Sequence, residues 1–313
     1  MAVVYNYLKS PPLISWKSTS KLQQTVANCF ERIGQGLHSG NIFKVKLSPA
    51  AAGVGRYFVV GGSTVIKASI ENAVKPTPLC TTLSKDGYSV QTVEHLLSAL
   101  EATGVDNCQI EIDSSSSNDS VEVPIFDGSA REWVEAIDQV GLKVAITSGG
   151  KSCEKLAPYL NEPVRVQKND SFIAAFPFPR MSISYGIDFP QAPAIGRQWF
   201  CSNLPDYSKQ IASSRTFCIY EEVEYMRSLG LIKGGSSETA IICGLNRGWL
   251  NPPLRFDDEP CRHKVLDLIG DVSLLAKDGS QGLPIAHIIA YKAGHSLHTE
   301  FVRCLSGISQ KIG

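Results

Sequence analysis

The sequence predicts an α+β protein built from two units, because in each half of the chain a run of short strands is followed by helices. The chain has 313 residues, of which 43% are hydrophobic, so it can bury a substantial core and its length suggests two compact units. Residues 147–155 separate the halves, since this stretch has few apolar residues and two consecutive glycines. We therefore predict an N-terminal domain over residues 24–148 and a C-terminal domain over residues 155–313.

The elements of the first half follow from apolar periodicity and from turn residues between the runs. Strand-like runs bounded by Gly, Pro or Ser occupy residues 24–33, 43–47, 57–60 and 108–112. Apolar residues recur at helical spacing over 93–102, and a second helix is predicted over 129–140. The serine-rich tract 113–120 between them is expected to be an exposed loop.

The second half begins again with strands and continues with helices. Strands are predicted over residues 164–167, 171–176 and 182–189, and helices around 221–229 and 262–275. The order and length of the elements thus repeat at the level of the domain, although no repeat of individual residues is visible. This order favours α+β over a doubly wound parallel sheet.

Composition excludes several classes of function. Thirty basic and thirty acidic residues give a formal net charge of zero, so no field of the whole molecule attracts nucleic acid or an anionic membrane. No apolar stretch approaches the roughly 20 residues of a membrane-spanning helix, so contact with lipid is at most peripheral. The glycine pairs at 34–36 and 234–235 form no phosphate loop or dinucleotide motif, and ATP and NAD are not expected. Nine scattered cysteines without a CxxC pair indicate free thiols in a reducing compartment.

The N-terminal residues differ from the rest of the chain. They contain lysine, serine and threonine but no acidic residue before Glu31, a composition typical of organelle-targeting segments. An ordinary frayed terminus is the alternative, and the absence of arginine before Arg32 favours it. We predict a targeting extension over residues 1–23.

The first candidate for chemistry is a stripe of ionisable residues on the predicted helix 262–275. His263, Asp267 and Asp271 are spaced i, i+4 and i+8 and therefore share one face. An imidazole and a carboxylate one turn apart can hold one metal ion. Taken alone the HxxxD spacing is a weak signal, since solvated helix faces carry such pairs by chance.

Three further segments become informative only in combination. Glu94 and His95 begin an otherwise apolar helix, so one could bind a metal while the other reaches a water; a favourable acid in a first helical turn is the alternative. His295 follows an apolar run, where a surface histidine after a strand is the simpler interpretation. The polar segment 214–217 ends in an aromatic residue and could be an ordinary turn.

The ordered set of motifs resembles one known family. From about Gln24 to the C-terminus the chain carries GLHSG, TVEH, PIFDGSA, SRTF, RFxDExxRHKxLDxIGD and a late GH. This set is similar to that of the UDP-3-O-acyl-N-acetylglucosamine deacetylases, the zinc amidases of lipid A synthesis. The resemblance implies two similar two-layer domains with their helices between two sheets, the site at the domain junction, and a small insert in each domain.

The resemblance also implies a role for individual residues. It implies Zn²⁺ as cofactor, with the ligands His95, His263 and Asp267. It implies as catalytic residues Glu94 as the base, His295 acting on the leaving amine, Thr216 near the oxyanion and Asp271 in support of His295. It further implies that Lys264 contacts the substrate diphosphate and that Phe217 packs against the sugar.

The acyl chain of such a substrate requires an apolar passage, which the family forms from the insert of the second domain. The matching stretch is 218–242, and our candidates for the walls are Tyr220, Val223, Ile232, Ala240 and Ile242. For any one of them, burial in an ordinary core is an equally good interpretation. Glu222, a candidate for substrate binding, replaces a usual aspartate, and Ser237 replaces an aromatic residue, so the acyl length and the sugar contacts stay open.

The chemistry agrees with this resemblance. An acetamide is a poor electrophile with a poor leaving group, so its hydrolysis needs an activated water, oxyanion stabilisation and a proton for nitrogen. Either His295 or Glu94 could supply that proton. We expect a nucleotide-sugar glycolipid as substrate, no nucleic-acid partner, a monomer, and the mitochondrial address of a plant-like version. The alternatives are a zinc amidase acting on another N-acyl sugar and a non-catalytic binding module.

Overall fold

A computed structural model of the chain describes residues 12–74, 79–114, 119–203, 206–251 and 253–307. The strands of its first half are β1 (Ile14–Leu22), β2 (Gln24–Val26), β3 (Phe30–Gln35), β4 (Ile42–Pro49), β5 (Arg56–Val60), β6 (Thr64–Lys67), β7 (Leu83–Lys85), β8 (Tyr88–Gln91), β9 (Cys108–Ser114), β10 (Ser120–Glu122) and β11 (Leu142–Val144). The helices of this half are α1 (Glu94–Thr103) and α2 (Arg131–Val140).

The second half contains the remaining elements. Its strands are β12 (Glu154–Leu160), β13 (Val164–Lys168), β14 (Ser171–Pro177), β15 (Ser182–Phe189), β16 (Gly196–Ser202), β17 (Phe217–Ile219), β18 (Ile241–Gly244), β19 (Gly248–Trp249) and β20 (Ala286–Tyr291). Its helices are α3 (Tyr207–Gln210), α4 (Tyr220–Ser228), α5 (Glu259–Val272) and α6 (His295–Ser306).

Each half is organised around a five-stranded sheet of the same topology. The sheets have the orders β3-β4-β9-β5-β6 and β13-β14-β20-β15-β16. In both, the last strand of the sequence enters the centre, where it pairs antiparallel with the second strand and parallel with the third. The prediction of an α+β protein whose order of elements repeats is confirmed.

The sheets cover the core with one face, as β4 illustrates. Phe43, Val45 and Leu47 are buried, whereas Lys44 and Lys46 alternate with them and are only half-buried. Successive strand residues point to opposite faces of the sheet, so alternating apolar and polar residues give one apolar face and one solvent-facing face.

The helices occupy the space behind these faces. α1 contacts α2 and α5, while α5 and α6 contact each other and also strands of the second sheet. Leu96, Leu97 and Leu100 of α1 have no exposed surface, which is typical of a helix enclosed on all sides. The expectation of helices between two sheets is therefore confirmed.

Gly270 lets α1 and α5 approach each other closely. A β-carbon at this position of α5 would overlap the carbonyl oxygen of Glu94, in the first turn of α1. The contact joins the two halves and brings the start of α1 beside the middle of α5.

Each half of the chain carries a small additional sheet. In the first half β8 lies between β7 and β10; in the second β18 lies between β17 and β19, and α4 connects the parallel strands β17 and β18. This β-α-β unit coincides with the insert predicted near 218–242. The Lys233 and Gly234 amides donate to the His38 and Leu37 carbonyls, so the insert also contacts the turn between β3 and β4.

The structure differs from the sequence predictions in several boundaries. The single strand expected over 24–33 is two strands, β2 and β3, and the helix expected from residue 262 begins at Glu259 and ends in a 3₁₀ turn over 273–275. The loop expected over 113–120 is shorter, because β9 continues to Ser114 and β10 begins at Ser120, while residues 115–118 lie outside the described residues.

The predicted targeting extension overlaps the fold. Its residues 14–22 form β1, which pairs antiparallel with β12 across the predicted domain boundary, and its residues 1–11 lie outside the described part. None of the described helices is both long and apolar enough to cross a membrane.

The close approach at Gly270 leads to a prediction about stability. Gly270→Ala should lower the free energy of unfolding by about 1–3 kcal/mol, because the new methyl group forces α1 and α5 apart in a packed interior. Urea denaturation followed by circular dichroism measures this loss. Gly149→Ala is the matched control, since a β-carbon at that exposed glycine meets only an ordinary contact. Equal stability of the two variants would contradict the role of Gly270.

Candidate active site

Three of the predicted site residues converge where α1 meets α5. The Nε2 atoms of His95 and His263 lie 3.5 and 3.3 Å from Oδ1 of Asp267. One donor atom from each of the three residues lies within 4.8 Å of the others, and all three residues are buried. The helical spacing i, i+4 aligns His263 with Asp267, and the contact at Gly270 brings in His95.

The hydrogen bonds of this cluster leave ligand atoms of His263 and Asp267 free to bind a cation. The Nδ1 atom of His263 lies 3.0 Å from the backbone carbonyl of Ser214, which requires a proton on Nδ1 and leaves the lone pair on Nε2. Among the described residues, Oδ1 of Asp267 and Nδ1 of His95 are buried without a hydrogen-bond partner. A buried carboxylate oxygen without a donor carries a desolvation cost that a cation would remove.

Lys264 donates a hydrogen bond to the other carboxylate oxygen of Asp267. Its Nζ donates to Oδ2 at 2.8 Å and lies 5.7 Å from the centre of the Phe217 ring. Burial acts to raise the pKa of Asp267, but its interactions with His263 and with the ammonium group of Lys264 bring it well below its ordinary value. Asp267 is therefore an anion that faces two imidazoles.

Glu94 precedes His95 in the first turn of α1. Its Oε2 accepts a hydrogen bond from the Thr81 amide at 3.0 Å, and its Oε1 lies 3.9 Å from Nε2 of His295. Burial raises the pKa of Glu94 to about 8, against the opposing charges of His295 and His95. A carboxylate with a pKa near neutrality is suited to accept and return a proton.

His295 lies within hydrogen-bond distance of Asp271. Its Nδ1 lies 2.8 Å from Oδ2 of Asp271, and both side chains are buried. Burial would lower the pKa of His295, but the negative charges of Asp271 and Glu94 raise it to about 10. The imidazole is consequently a cation at neutral pH, with Nε2 directed at Glu94 and Asp267.

A cavity of about 340 Å³ extends from these groups into the insert of the second domain. It is lined by every predicted metal ligand, by Glu94 and His295, by Thr216, Phe217 and Lys264, and by Tyr220, Glu222, Val223, Ile232, Ala240 and Ile242. Of the predicted site residues only Asp271 does not line it, because Asp271 lies behind His295. The polar end and the apolar passage thus form one continuous space.

Sequence reasoning missed several residues of this site. Thr81 donates its hydroxyl to Asp271 at 2.6 Å, and His298 lies 2.8 Å from the same carboxylate. The HxxH spacing of the late GHSLH segment was a signal for His298, whereas Thr81 had none. Leu37 and Ile125 of the first half also line the cavity, which only the packing of the halves reveals.

Comparison with known proteins shows the family of the chain. Residues 23–307 match the model of the family described as UDP-3-O-acyl N-acetylglycosamine deacetylase. A relative in Arabidopsis thaliana, named probable UDP-3-O-acyl-N-acetylglucosamine deacetylase 1, mitochondrial, is 58% identical over 306 residues, covering 96% of this chain and 93% of the relative. UDP-3-O-acyl-N-acetylglucosamine deacetylases of Thermosynechococcus vestitus and Trichormus variabilis are 46% and 45% identical, covering 91% and 92% of this chain and 94% and 99% of their own lengths. With its motifs, its paired sheets and its buried histidine and carboxylate cluster, the chain belongs to the UDP-3-O-acyl-N-acetylglycosamine deacetylase family.

Proposed function

We propose that the chain hydrolyses the N-acetyl group of UDP-3-O-(3-hydroxyacyl)-N-acetylglucosamine, releasing acetate and the free amine, with Zn²⁺ as cofactor. The observation that carries this proposal is one cavity with two chemically different ends. The imidazoles and carboxylates of His95, His263, Asp267, Glu94 and His295 line one end, and apolar side chains of the insert line the other. A substrate with an acetamide and an acyl chain fits both ends.

The three clustered residues fit a zinc ion. Two imidazole nitrogens and one carboxylate oxygen form a common ligand set of hydrolytic zinc sites. The unpartnered Oδ1 of Asp267 and the hydrogen bond that orients His263 both favour a cation at this position. When bound, zinc supplies Lewis acidity that polarises the amide carbonyl and acidifies water.

The protein's own groups would carry the protons. Glu94 would take a proton from the attacking water, since its carboxylate is fixed by the Thr81 amide and has a pKa near neutrality. The cationic His295 would stabilise negative charge on the carbonyl oxygen and could protonate the departing nitrogen; a proton returned by Glu94 is the other route. Thr216, which lines the same cavity, would donate its hydroxyl to the oxyanion.

The substrate would be held along the rest of the cavity. Lys264 would exchange its contact with Asp267 for the diphosphate, and Phe217 would pack against the sugar. Glu222 lines the cavity beside the walls Tyr220, Val223 and Ile232 and would contact the sugar or the start of the acyl chain. A monomeric state and peripheral membrane contact stay predictions.

We also propose that the protein acts in mitochondria, as the name of the Arabidopsis thaliana relative states of that protein. The acidic-poor N-terminal composition supports this address, and the pairing of β1 with β12 limits the targeting segment to residues before Ile14. A fluorescent fusion of the full chain should enter mitochondria, and a fusion that begins at Ile14 should stay in the cytosol. Cytosolic retention of the full-length fusion would refute the proposal.

The function is tested by acetate release combined with metal analysis. The purified chain should contain one zinc and release acetate, and His263→Ala should lose both, because it removes a ligand. Glu94→Gln should keep zinc and lose turnover by about 10²–10⁴-fold, the usual range for removal of a general base.

His287→Ala is the matched control for these variants. His287 lies on β20, outside the cavity, and is hydrogen-bonded to Ser184. This variant should retain zinc and activity. A His263→Ala variant with full zinc and normal turnover would show that the ligand assignment is wrong. Loss of zinc from Glu94→Gln would instead make Glu94 part of the metal site.

The coupling of His295 to Asp271 predicts a dependence on pH. Activity should rise as Glu94 loses its proton and fall as His295 loses its own, which gives a bell-shaped profile. Asp271→Asn removes the charge that raises the pKa of His295, so the descending limb should move to lower pH and the maximum should fall. Zinc content should not change, because Asp271 is not a ligand. If the descending limb stays at its original pH, Asp271 does not raise the pKa of His295, and the limb must belong to another group.

A further inference from the structure

Helix α6 presents two histidines to a single carboxylate oxygen. His295 and His298 are three residues apart and share a face, and the Nδ1 atom of each lies 2.8 Å from Oδ2 of Asp271. The other oxygen of Asp271 accepts the hydroxyl of Thr81 at 2.6 Å. Three donors therefore fix a carboxylate that has no exposed surface.

His298 is itself held from its far side. Its Nε2 lies 3.1 Å from the hydroxyl oxygen of Tyr185, and the single proton of that hydroxyl is shared between this nitrogen and the carbonyl oxygen of Ala293, which lies 2.7 Å away. A carboxylate can only accept, so Nδ1 of His298 carries a proton and donates it to Asp271. Burial lowers the pKa of His298, which makes it a neutral donor beside the cationic His295.

His298 does not line the cavity, and its side chain has no exposed surface. A polar side chain this deeply buried is costly unless its hydrogen bonds are made, and those of His298 lead to Asp271 and Tyr185. His298 therefore reaches the site from behind it, through its hydrogen bond to Asp271 and through an edge-on contact with the ring of His295, with the ring centroids 5.9 Å apart. Without His298, the Asp271 carboxylate would keep, among the described residues, one side-chain donor on each oxygen, Thr81 on Oδ1 and His295 on Oδ2, and its orientation would be less tightly held.

We propose that His298 is a positioning residue, which fixes the Asp271 carboxylate so that His295 directs its Nε2 at Glu94 and Asp267. The proposal rests on the function proposed above and adds a residue to it. The geometry it protects is the 3.9 Å separation of Nε2 of His295 from both of those carboxylates. Because hydrogen-bonded partners behind a site residue hold it in its working orientation, their loss commonly costs about 10–100-fold in activity.

The test compares two substitutions of similar size. His298→Leu removes the donor, so kcat for acetate release should fall about 10–100-fold while KM and zinc content stay unchanged. In His298→Asn the side-chain nitrogen is bonded to Cγ, as Nδ1 is in histidine, and it can donate to Oδ2. His298→Asn should therefore recover most of the lost kcat.

Val302→Ala is the matched control for general destabilisation, since Val302 is a fully buried residue of α6 with an apolar side chain that cannot donate to Asp271. It should lose stability without a comparable loss of kcat. Equal kcat values for His298→Leu and His298→Asn, whether normal or reduced, would overturn the positioning role.

A measurement without substrate keeps the proposal testable if His298→Leu fails to fold. In ¹⁵N-labelled wild-type protein, the Nδ1 proton of His298 should exchange slowly with water and its resonance should shift in Asp271→Asn. A rapidly exchanging or unshifted resonance would refute the hydrogen bond. Absence of acetate release by the wild type would refute the proposed function instead, and the resonance would still report on His298.

Discussion

The close packing of α1 on α5 is the contact on which the rest of the site depends. Gly270 has no side chain, so the first turn of α1 lies directly against α5. Glu94 and His95 belong to that turn, and His263 and Asp267 lie on the facing part of α5. Each half of the chain supplies two of these four residues, and the contact between α1 and α5 brings them together.

The duplicated topology explains why the site lies at this position. In both sheets the chain leaves the fourth strand, passes through a helix that faces the other half, and returns to the centre of the sheet. α1 and α5 are therefore equivalent helices of the two halves, related by topology although their residues are not alike. Each half also has an additional sheet, and the insert containing α4 contributes apolar walls to the cavity together with Leu37 and Ile125 of the first half.

Burial and charge divide the carboxylates of the site into different roles. Glu94 has a pKa raised by burial, whereas the pKa values of Asp267 and Asp271 are lowered by cationic and hydrogen-bonded neighbours despite their burial. The first can therefore exchange a proton near neutral pH, and the other two stay ionised. The separation of acid and base roles follows from the neighbours of each group and not from its residue type.

The sequence by itself determined the α+β class, because strand and helix periods are local properties, and the resemblance of its ordered motifs to one family supplied the metal-ligand candidates and the insert. Tertiary structure decided what depends on distant contacts: that β1 pairs with β12, that His38 and Leu37 meet the insert, and that Thr81 and His298 converge on Asp271. Thr81 and Asp271 are separated by 190 residues, so no local sequence pattern indicates that their side chains are in contact. Contacts between such distant residues form only when the two halves of the chain pack against each other.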